Sequence, residues 1–371
     1  SNGQPYLWST ATAIQYRTDD GPLSTTVNEA AARARVQAMF AVWQNVPSAS
    51  ISYSRAGFIP GGDVDTVSRF NAVEGDCNAG NLSPIIYDAS GEIFAAVIGD
   101  DAVIGFAGPC AISVAQGRIL AGHAVMNGLY QDGKASPIQD LTAAEFDATF
   151  IHEFGHFSGL DHSQINVECA NVFCNSDDLA GLPTMFPYLV SAEQGTLSID
   201  DVAWISRLYP AGGAGGFAAT HGTITGTVYF HDGESPLQFA NVVARRVDAG
   251  GNEDRRFAAS VVSGFRFRAC HPNPITNPPD SDCPPAGSDS AAHIGSFEIP
   301  VPPGDYTIEV ESIDPQFTGG SSVGPSDNPI PLPGGIPAVI GPITVTAGST
   351  VSGVDVILQD SFPRFDQFEG P

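Results

Sequence analysis

The chain has few basic residues. Its 371 residues include 15 Lys and Arg against 41 Asp and Glu, which gives a formal net charge of −26 at pH 7. A surface this negative repels phosphate backbones and anionic lipid headgroups, so we expect neither nucleic acid nor an anionic membrane as a partner. The sequence also lacks any run of the roughly 18–20 apolar residues that a membrane span requires. We therefore expect no membrane span.

Cysteine is scarce, and no pair of cysteines has the Cys-x-x-Cys spacing of a structural zinc site. The six cysteines form three pairs that are close in sequence: Cys77/Cys110, Cys169/Cys174 and Cys270/Cys283. Sequence alone leaves their connectivity open. An even number without metal spacing favours disulfides, and hence a secreted, extracellular protein, over six reduced and buried thiols.

Three histidines near the middle of the chain have the spacing of zinc ligands. His152 and His156 are four residues apart, so they share one face of a helix. Gly159 can adopt the left-handed conformation that ends a helix, and the turn can bring His162 back as a third ligand. Three protein ligands that leave the fourth position to water are the catalytic pattern of zinc. Glu153 can reach such a water without binding the metal.

The sequence around these residues predicts the helix that they need. Thr142 and Glu145 fit a capping box at its start, with Asp140 as an alternative cap. Thr26 and Glu29 fit a second capping box before an earlier helical segment. Phe146, Phe150 and Phe157 can anchor the helix in a core while the histidines face a cleft.

The motif H-E-x-x-H-x-x-G-x-x-H, formed by residues 152–162, resembles that of the metzincin metallopeptidases. Two further features resemble the matrixin branch: Ser163 directly follows the third ligand, and residues 183–188 resemble its methionine turn. The resemblance implies zinc bound by the three histidines, Glu153 as general base, and Met185 beneath the metal. It also implies that Pro183, Pro187 and Tyr188 wall the pocket for the side chain that follows the cleaved bond.

Residues 119–125 predict a strand just before the zinc helix. Their Leu-Ala-Gly-His-Ala run is similar to the Leu-Ala-His-Ala run of the matrixin edge strand, with one glycine inserted. An edge strand has free N–H and C=O groups with which an extended substrate can pair. The resemblance therefore implies five substrate-binding residues: Leu120, Ala121, Gly122, His123 and Ala124.

The predicted fold class is α+β with two domains. Residues 1–210 alternate strand and helix signals, which favours a mixed twisted sheet with an active-site helix packed on it. Residues 211–218 form a Gly-rich linker. Residues 219–360 contain short strands of period two with turn signals, which predicts an all-β sandwich, and they resemble carboxypeptidase-regulatory-like domains. We expect residues 361–371 to be a loose tail.

The expected function is that of a secreted, monomeric zinc endopeptidase acting on extracellular proteins or peptides, through a zinc-activated water with Glu153 as general base. One alternative is an extracellular binding or adhesion protein whose peptidase-like domain is non-catalytic. Another is a zinc hydrolase of non-peptide amides. Structural Ca²⁺ is a further expected cofactor, although no EF-hand loop is present. Its candidate ligands are three acidic pairs: Asp63/Asp65, Asp100/Asp101 and Asp177/Asp178.

Overall fold

The computed structural model describes residues 3–99, 103–135, 138–166, 169, 174–267, 288, 290–311, 313 and 339–358. The helices in these ranges are α1 (Glu29–Gln44), α2 (Val67–Asn78), α3 (Ala143–Phe157), α4 (Ser176–Ala180), α5 (Ile199–Leu208) and α6 (Phe217–Thr220). The strands are β1 (Ile14–Thr18), β2 (Tyr53–Phe58), β3 (Pro84–Asp88), β4 (Gly105–Ser113), β5 (Arg118–Asn127), β6 (Gly222–Tyr229), β7 (Asn241–Val247), β8 (Glu253–Val262), β9 (Ser296–Val301), β10 (Gly304–Glu311), β11 (Val339–Val345), β12 (Thr350–Val351) and β13 (Val356–Ile357). Asp100, Asp101, Cys270, Cys283 and the predicted tail lie outside the described residues.

A five-stranded mixed sheet organises the N-terminal part, with the order β2-β1-β3-β5-β4. The first four strands of this order pair in parallel, and β4 pairs antiparallel with β5. The predicted mixed sheet is thus confirmed. The predicted edge position of residues 119–125 was wrong, because β5 has β3 on one side and β4 on the other. The edge strand on this side of the sheet is β4.

Aromatic side chains fix α3 against α1 beneath the sheet. The ring of Phe40 on α1 stacks on that of Phe154, with 3.7 Å between centroids, and Phe157 meets it edge-on at 5.3 Å. Trp43 donates its indole N–H to the carbonyl of Ile151 at 2.8 Å. Offset and edge-on ring pairs add to the gain from burial, so they hold one face of α3 rigidly in the core.

The helix starts agree with the predicted caps with one exception. Thr142 caps α3, and its reciprocal bond with Glu145 completes the predicted capping box. For α1, however, Asn28 rather than Thr26 is the capping residue, and its side chain accepts the N–H of Ala31 at 3.0 Å. Asparagine is as good a cap as threonine, and it lies directly before the first helical residue.

Two sheets pack face to face in the C-terminal part. One has the order β11-β10-β7-β8, and the other places β6 between β9 and the short strands β12 and β13. Their inner faces share a buried core that includes Ile224, Val242, Phe297 and Ile308. This all-β arrangement agrees with the predicted fold class for this part of the chain.

Two disulfides join Cys77 to Cys110 and Cys169 to Cys174. These are two of the three sequence-close pairs, and oxidised pairs of this kind are compatible with an extracellular protein. Within the described ranges, no helix combines the length and the apolar character needed to cross a bilayer.

Candidate metal centre

The three predicted ligands converge on one point. The Nε2 atoms of His152, His156 and His162 lie 3.0–3.2 Å from one another. All three side chains are half-buried, so the point they surround stays accessible from one side. Three imidazole nitrogens at such separations could hold a metal ion.

The end of α3 explains how the third histidine returns. Gly159 has φ +91°, in the left-handed region predicted for it. The N–H of Gly159 bonds to the carbonyl of His156 at 2.9 Å, and that of Leu160 bonds to the carbonyl of Gly155 at 3.0 Å. This pair of bonds is the Schellman motif, which satisfies the last carbonyls of the helix and reverses the chain. His162 then follows two residues later.

Hydrogen bonds to the outer ring nitrogens fix the tautomers of two ligands. The Nδ1 atom of His152 lies 2.7 Å from the carbonyl oxygen of Thr184, and that of His156 lies 2.9 Å from the carbonyl oxygen of Leu160. A carbonyl only accepts, so Nδ1 carries the proton in both rings, and each Nε2 presents a lone pair to the centre. Such outer bonds also orient the rings.

All three imidazoles are held in the neutral form. Burial lowers the pKa of His152 well below its usual value, and its two histidine neighbours lower that pKa further. Burial also lowers the pKa of His156, and it lowers the pKa of His162 to about 3. A neutral imidazole is the form that binds a metal. The site therefore offers lone pairs at neutral pH without first losing protons.

The donor set fits zinc. Tetrahedral coordination with Zn–N bonds of about 2.0–2.1 Å places ligand nitrogens about 3.3–3.4 Å apart. The Nε2 atoms lie within a few tenths of an ångström of that spacing. The Nε2 lone pairs of His152 and His156 face each other with no proton between them. A cation between the two nitrogens would remove the repulsion between these lone pairs.

Glu153 lies beside the three ligands, on the buried side of α3. Its side chain is 5% exposed, and its Oε2 atom has no hydrogen-bond partner among the described residues. Burial raises the pKa of this carboxyl to about 8. A divalent cation nearby would lower that pKa again. The carboxyl also abuts Gly105 of β4, where an added Cβ would come within 2.9 Å of Oε1.

Met185 packs against α3, and its predicted position beneath a metal stays a prediction. It is 2% exposed, and its thioether packs against Gly155, between the two helical ligands. The turn is held by Asp201 of α5, whose carboxylate accepts the N–H groups of Thr184 at 2.8 Å and Met185 at 3.1 Å. Because Thr184 also accepts the Nδ1 proton of His152, this carboxylate supports the ligand through the turn.

A cavity of about 240 Å³ opens next to Glu153 and His152. Pro187 and Tyr188 line it, but Pro183 does not, and a role of this cavity in binding substrate stays a prediction. The carbonyl of Pro183 instead accepts the N–H of Phe186 at 3.1 Å and so closes the turn. The floor and far wall include Ile104, Ala148, Leu189 and Gln194.

The substrate-binding residues predicted on β5 lie elsewhere. None of them lines the cavity beside Glu153. His123 pairs with Glu74 of α2 at 2.7 Å, Ala121 packs on the Cys77–Cys110 disulfide, and Leu120 is 47% exposed. A role for these five residues in binding substrate stays a prediction. The edge position on which that prediction was based is absent, because β5 lies between β3 and β4.

Two of the predicted calcium ligands, Asp63 and Asp178, have partners that the sequence did not indicate. Asp63 lies in a cluster with Asp19 and Asp20, whose oxygens approach within 4.8 Å of one another. Asp19 already accepts backbone N–H groups with both of its oxygens. Asp178 pairs with Arg255 of the C-terminal sheet, so its charge is compensated without a metal. Bound calcium stays a prediction.

Several residues of the site gave no signal in the sequence. Thr184 and Leu160 contribute backbone carbonyls, which every residue type has. Gly105 and Gln194 reach the site only through the folding of distant segments. Asp201 lies in the first turn of α5, and its hydrogen bonds to the methionine turn span 16 and 17 residues, which no local pattern reveals. No protein-family model matches this chain, and no curated protein sequence matches it at a significant level.

Proposed function

We propose that this protein is a secreted zinc-dependent endopeptidase of the metzincin type, with a matrixin-like catalytic part. The observation that carries the proposal is the convergence of three neutral imidazoles, with Nε2 atoms 3.0–3.2 Å apart, beside a buried carboxyl group. Three ligands with an open face match catalytic rather than structural zinc. His152, His156 and His162 would hold the ion.

A zinc ion bound there would supply Lewis acidity, which makes water a nucleophile near neutral pH and stabilises the developing oxyanion. Glu153 accepts a proton from the attacking water, because its Oε2 has no hydrogen-bond partner in the described part of the chain and its side chain is buried beside the ligands. The same carboxyl then delivers that proton to the leaving amine. Burial raises the pKa of Glu153 to about 8, and a bound cation would lower it again toward neutral pH, where one carboxyl group can both accept and donate a proton.

The cleft has the parts needed to hold an extended peptide. The edge strand β4 passes beside Glu153 at Gly105, and a free strand edge can pair with the backbone of a substrate. The cavity of about 240 Å³ is large enough for one side chain. Its lining of Ile104, Ala148 and Pro187 favours an apolar residue directly after the cleaved bond.

A non-catalytic binding protein is the competing class. Loss of the glutamate or of one ligand would favour it, but all four side chains are present and brought together. The two disulfides agree with an extracellular location.

The test is a cleavage assay with casein and a peptide library, run on the purified protein as isolated, after chelation, and after zinc is returned. We expect cleavage that stops with the chelator, returns with zinc, and prefers an apolar residue after the scissile bond. Cleavage that survives complete metal removal would contradict the proposal, as would a zinc-loaded protein that cuts none of the substrates.

A further inference from the structure

The third ligand is positioned differently from the other two. His152 and His156 belong to α3, whose side chains Phe154 and Phe157 pack on Phe40 of α1 in the N-terminal core. His162 instead lies in the loop of residues 160–166, which has no regular secondary structure. We name this segment the third-ligand loop. Its position depends on whatever packs against it.

The C-terminal sheet contacts this loop directly after the ligand. The hydroxyl of Ser163 lies 3.5 Å from that of Ser260 on β8. The carbonyl of Gln164 accepts the side-chain N–H of Asn241, on β7, at 3.1 Å. Asn241 is 1% exposed, so water does not compete for this bond.

The next two residues of the loop are also held by the sheet. Ile165 is fully buried against Val243 of β7 and Ala258 of β8. Asn166 has φ +56° and accepts the guanidinium of Arg245 at 2.9 Å. Four successive residues after His162 thus touch one sheet of the C-terminal part.

The sheet itself is stiff at this contact. Arg245 is 0% exposed and forms ion pairs with Glu309 at 2.7 Å and Glu311 at 3.0 Å, both on β10. The guanidinium of Arg245 is buried with these two carboxylates. A side-chain conformation that broke the ion pairs would leave a buried charge unpaired, which is costly.

A second set of bonds joins the same sheet to the methionine turn. The N–H of Ser260 donates to Asp200 of α5 at 2.8 Å, and its carbonyl accepts the indole N–H of Trp204 at 2.7 Å. The adjacent Asp201 holds Met185, and the carbonyl of Met185 accepts the N–H of Ser163 at 2.9 Å. The third-ligand loop is therefore held between the turn and the sheet.

We infer that the C-terminal sheet is a structural part of the metal centre, in which Asn241, Val243, Arg245 and Ser260 are positioning residues for His162. The inference rests on the proposed function, since it concerns the same site. If the third-ligand loop became ordered only when the ion bound, the entropy lost by the loop would weaken metal binding. A sheet that orders the loop beforehand removes this cost and so raises the affinity for the ion.

Neighbouring valines on β7 provide a matched test. Val243 and Val242 are both fully buried, but Val243 packs on Ile165 whereas Val242 faces the core between the two C-terminal sheets. We would measure Zn²⁺ affinity by chelator competition for Val243→Ala, Asn241→Ala and Val242→Ala in the full chain. Circular dichroism would establish that each variant is folded.

We expect Val243→Ala and Asn241→Ala to raise the zinc Kd by about tenfold, the lower end of the range for residues that support ligands. The visible spectrum of the Co²⁺-loaded protein should also change in these two variants, because it reports how many ligands hold the ion. Val242→Ala removes the same two methyl groups from β7 and should leave both readouts unchanged.

Equal zinc affinity in all four proteins would overturn the inference while leaving the proposed function intact, as would equal weakening by Val242→Ala. A wild-type chain that fails to bind zinc would contradict the proposed function itself, and the inference with it.

Discussion

Replacing Glu153 by Gln separates proton transfer from metal binding. Gln has the same shape, so it keeps the packing of the side chain against Gly105, but it is not a base. Among the described residues, Glu153 is the only carboxylate that lines the cavity beside His152. General base catalysis contributes about 10²- to 10⁴-fold. We expect kcat/KM to fall by about 10³-fold or more, which corresponds to at least ~4 kcal/mol of transition-state stabilisation.

The assay is steady-state cleavage of one fluorogenic peptide, with zinc content measured on the same samples. Glu153→Gln should lower kcat with little change in KM and no change in zinc content, since Glu153 does not bind the ion. Glu153→Asp keeps a carboxylate but withdraws it by one methylene, so its kcat should lie between those of the Glu153→Gln variant and the wild type. Activity of the Glu153→Gln variant within about tenfold of wild type would refute the assignment of Glu153 as general base.

Three further predictions concern stability. Burial, and then the neighbouring Asp201, raises the pKa of Asp200 to about 7 from 3.8, so the folded state binds this proton more tightly than the unfolded state. The stability that this proton contributes should be lost as pH rises between these values. Asp200→Asn should remove this contribution, so the pH dependence of its urea unfolding should differ from that of the wild type, and an identical pH dependence would contradict the prediction. Phe40→Ala, which removes a ring stacked on α3, should cost about 3–5 kcal/mol of unfolding free energy, and a cost below about 1 kcal/mol would show that α3 is held otherwise. Replacing Cys77 and Cys110 by Ser opens a link across 33 residues and should cost on the order of 3–4 kcal/mol in the same measurement, whereas no loss would exclude a stabilising disulfide.

The convergence of the three histidines was predictable because its determinants are local. Two ligands four residues apart share a helix face whatever the surrounding fold. The capping box of Thr142 and the left-handed turn at Gly159 depend on residues at most a few positions away, and the structure shows both. Local patterns fix local geometry, and the three histidines and Glu153 all lie within 21 consecutive positions, from Thr142 to His162.

Features that depend on distant segments were not predictable in the same way. The sequence pattern of β5 predicts a strand, but only the order of strands in the sheet decides whether that strand lies at an edge. In the structure β4 pairs with β5 and takes the edge position. The run of β4 contains two glycines and a proline, which weaken its strand signal. The pattern of residues 351–358 predicts one strand, but the structure has the separate strands β12 and β13, with Gly353 between them at φ +75°. The contact of Val243 with the third-ligand loop joins residues about 80 positions apart, which periodicity does not reveal.

We propose that the imidazoles of His152, His156 and His162 hold one zinc ion. X-ray absorption at the zinc edge, on protein purified without added metal and then loaded with one equivalent of zinc, tests it most directly. We predict one tightly bound zinc per chain with three nitrogen ligands at about 2.0–2.1 Å, and the loss of one of these nitrogens in His162→Ala. A protein that retains no zinc, or a zinc shell unchanged in His162→Ala, would contradict the account.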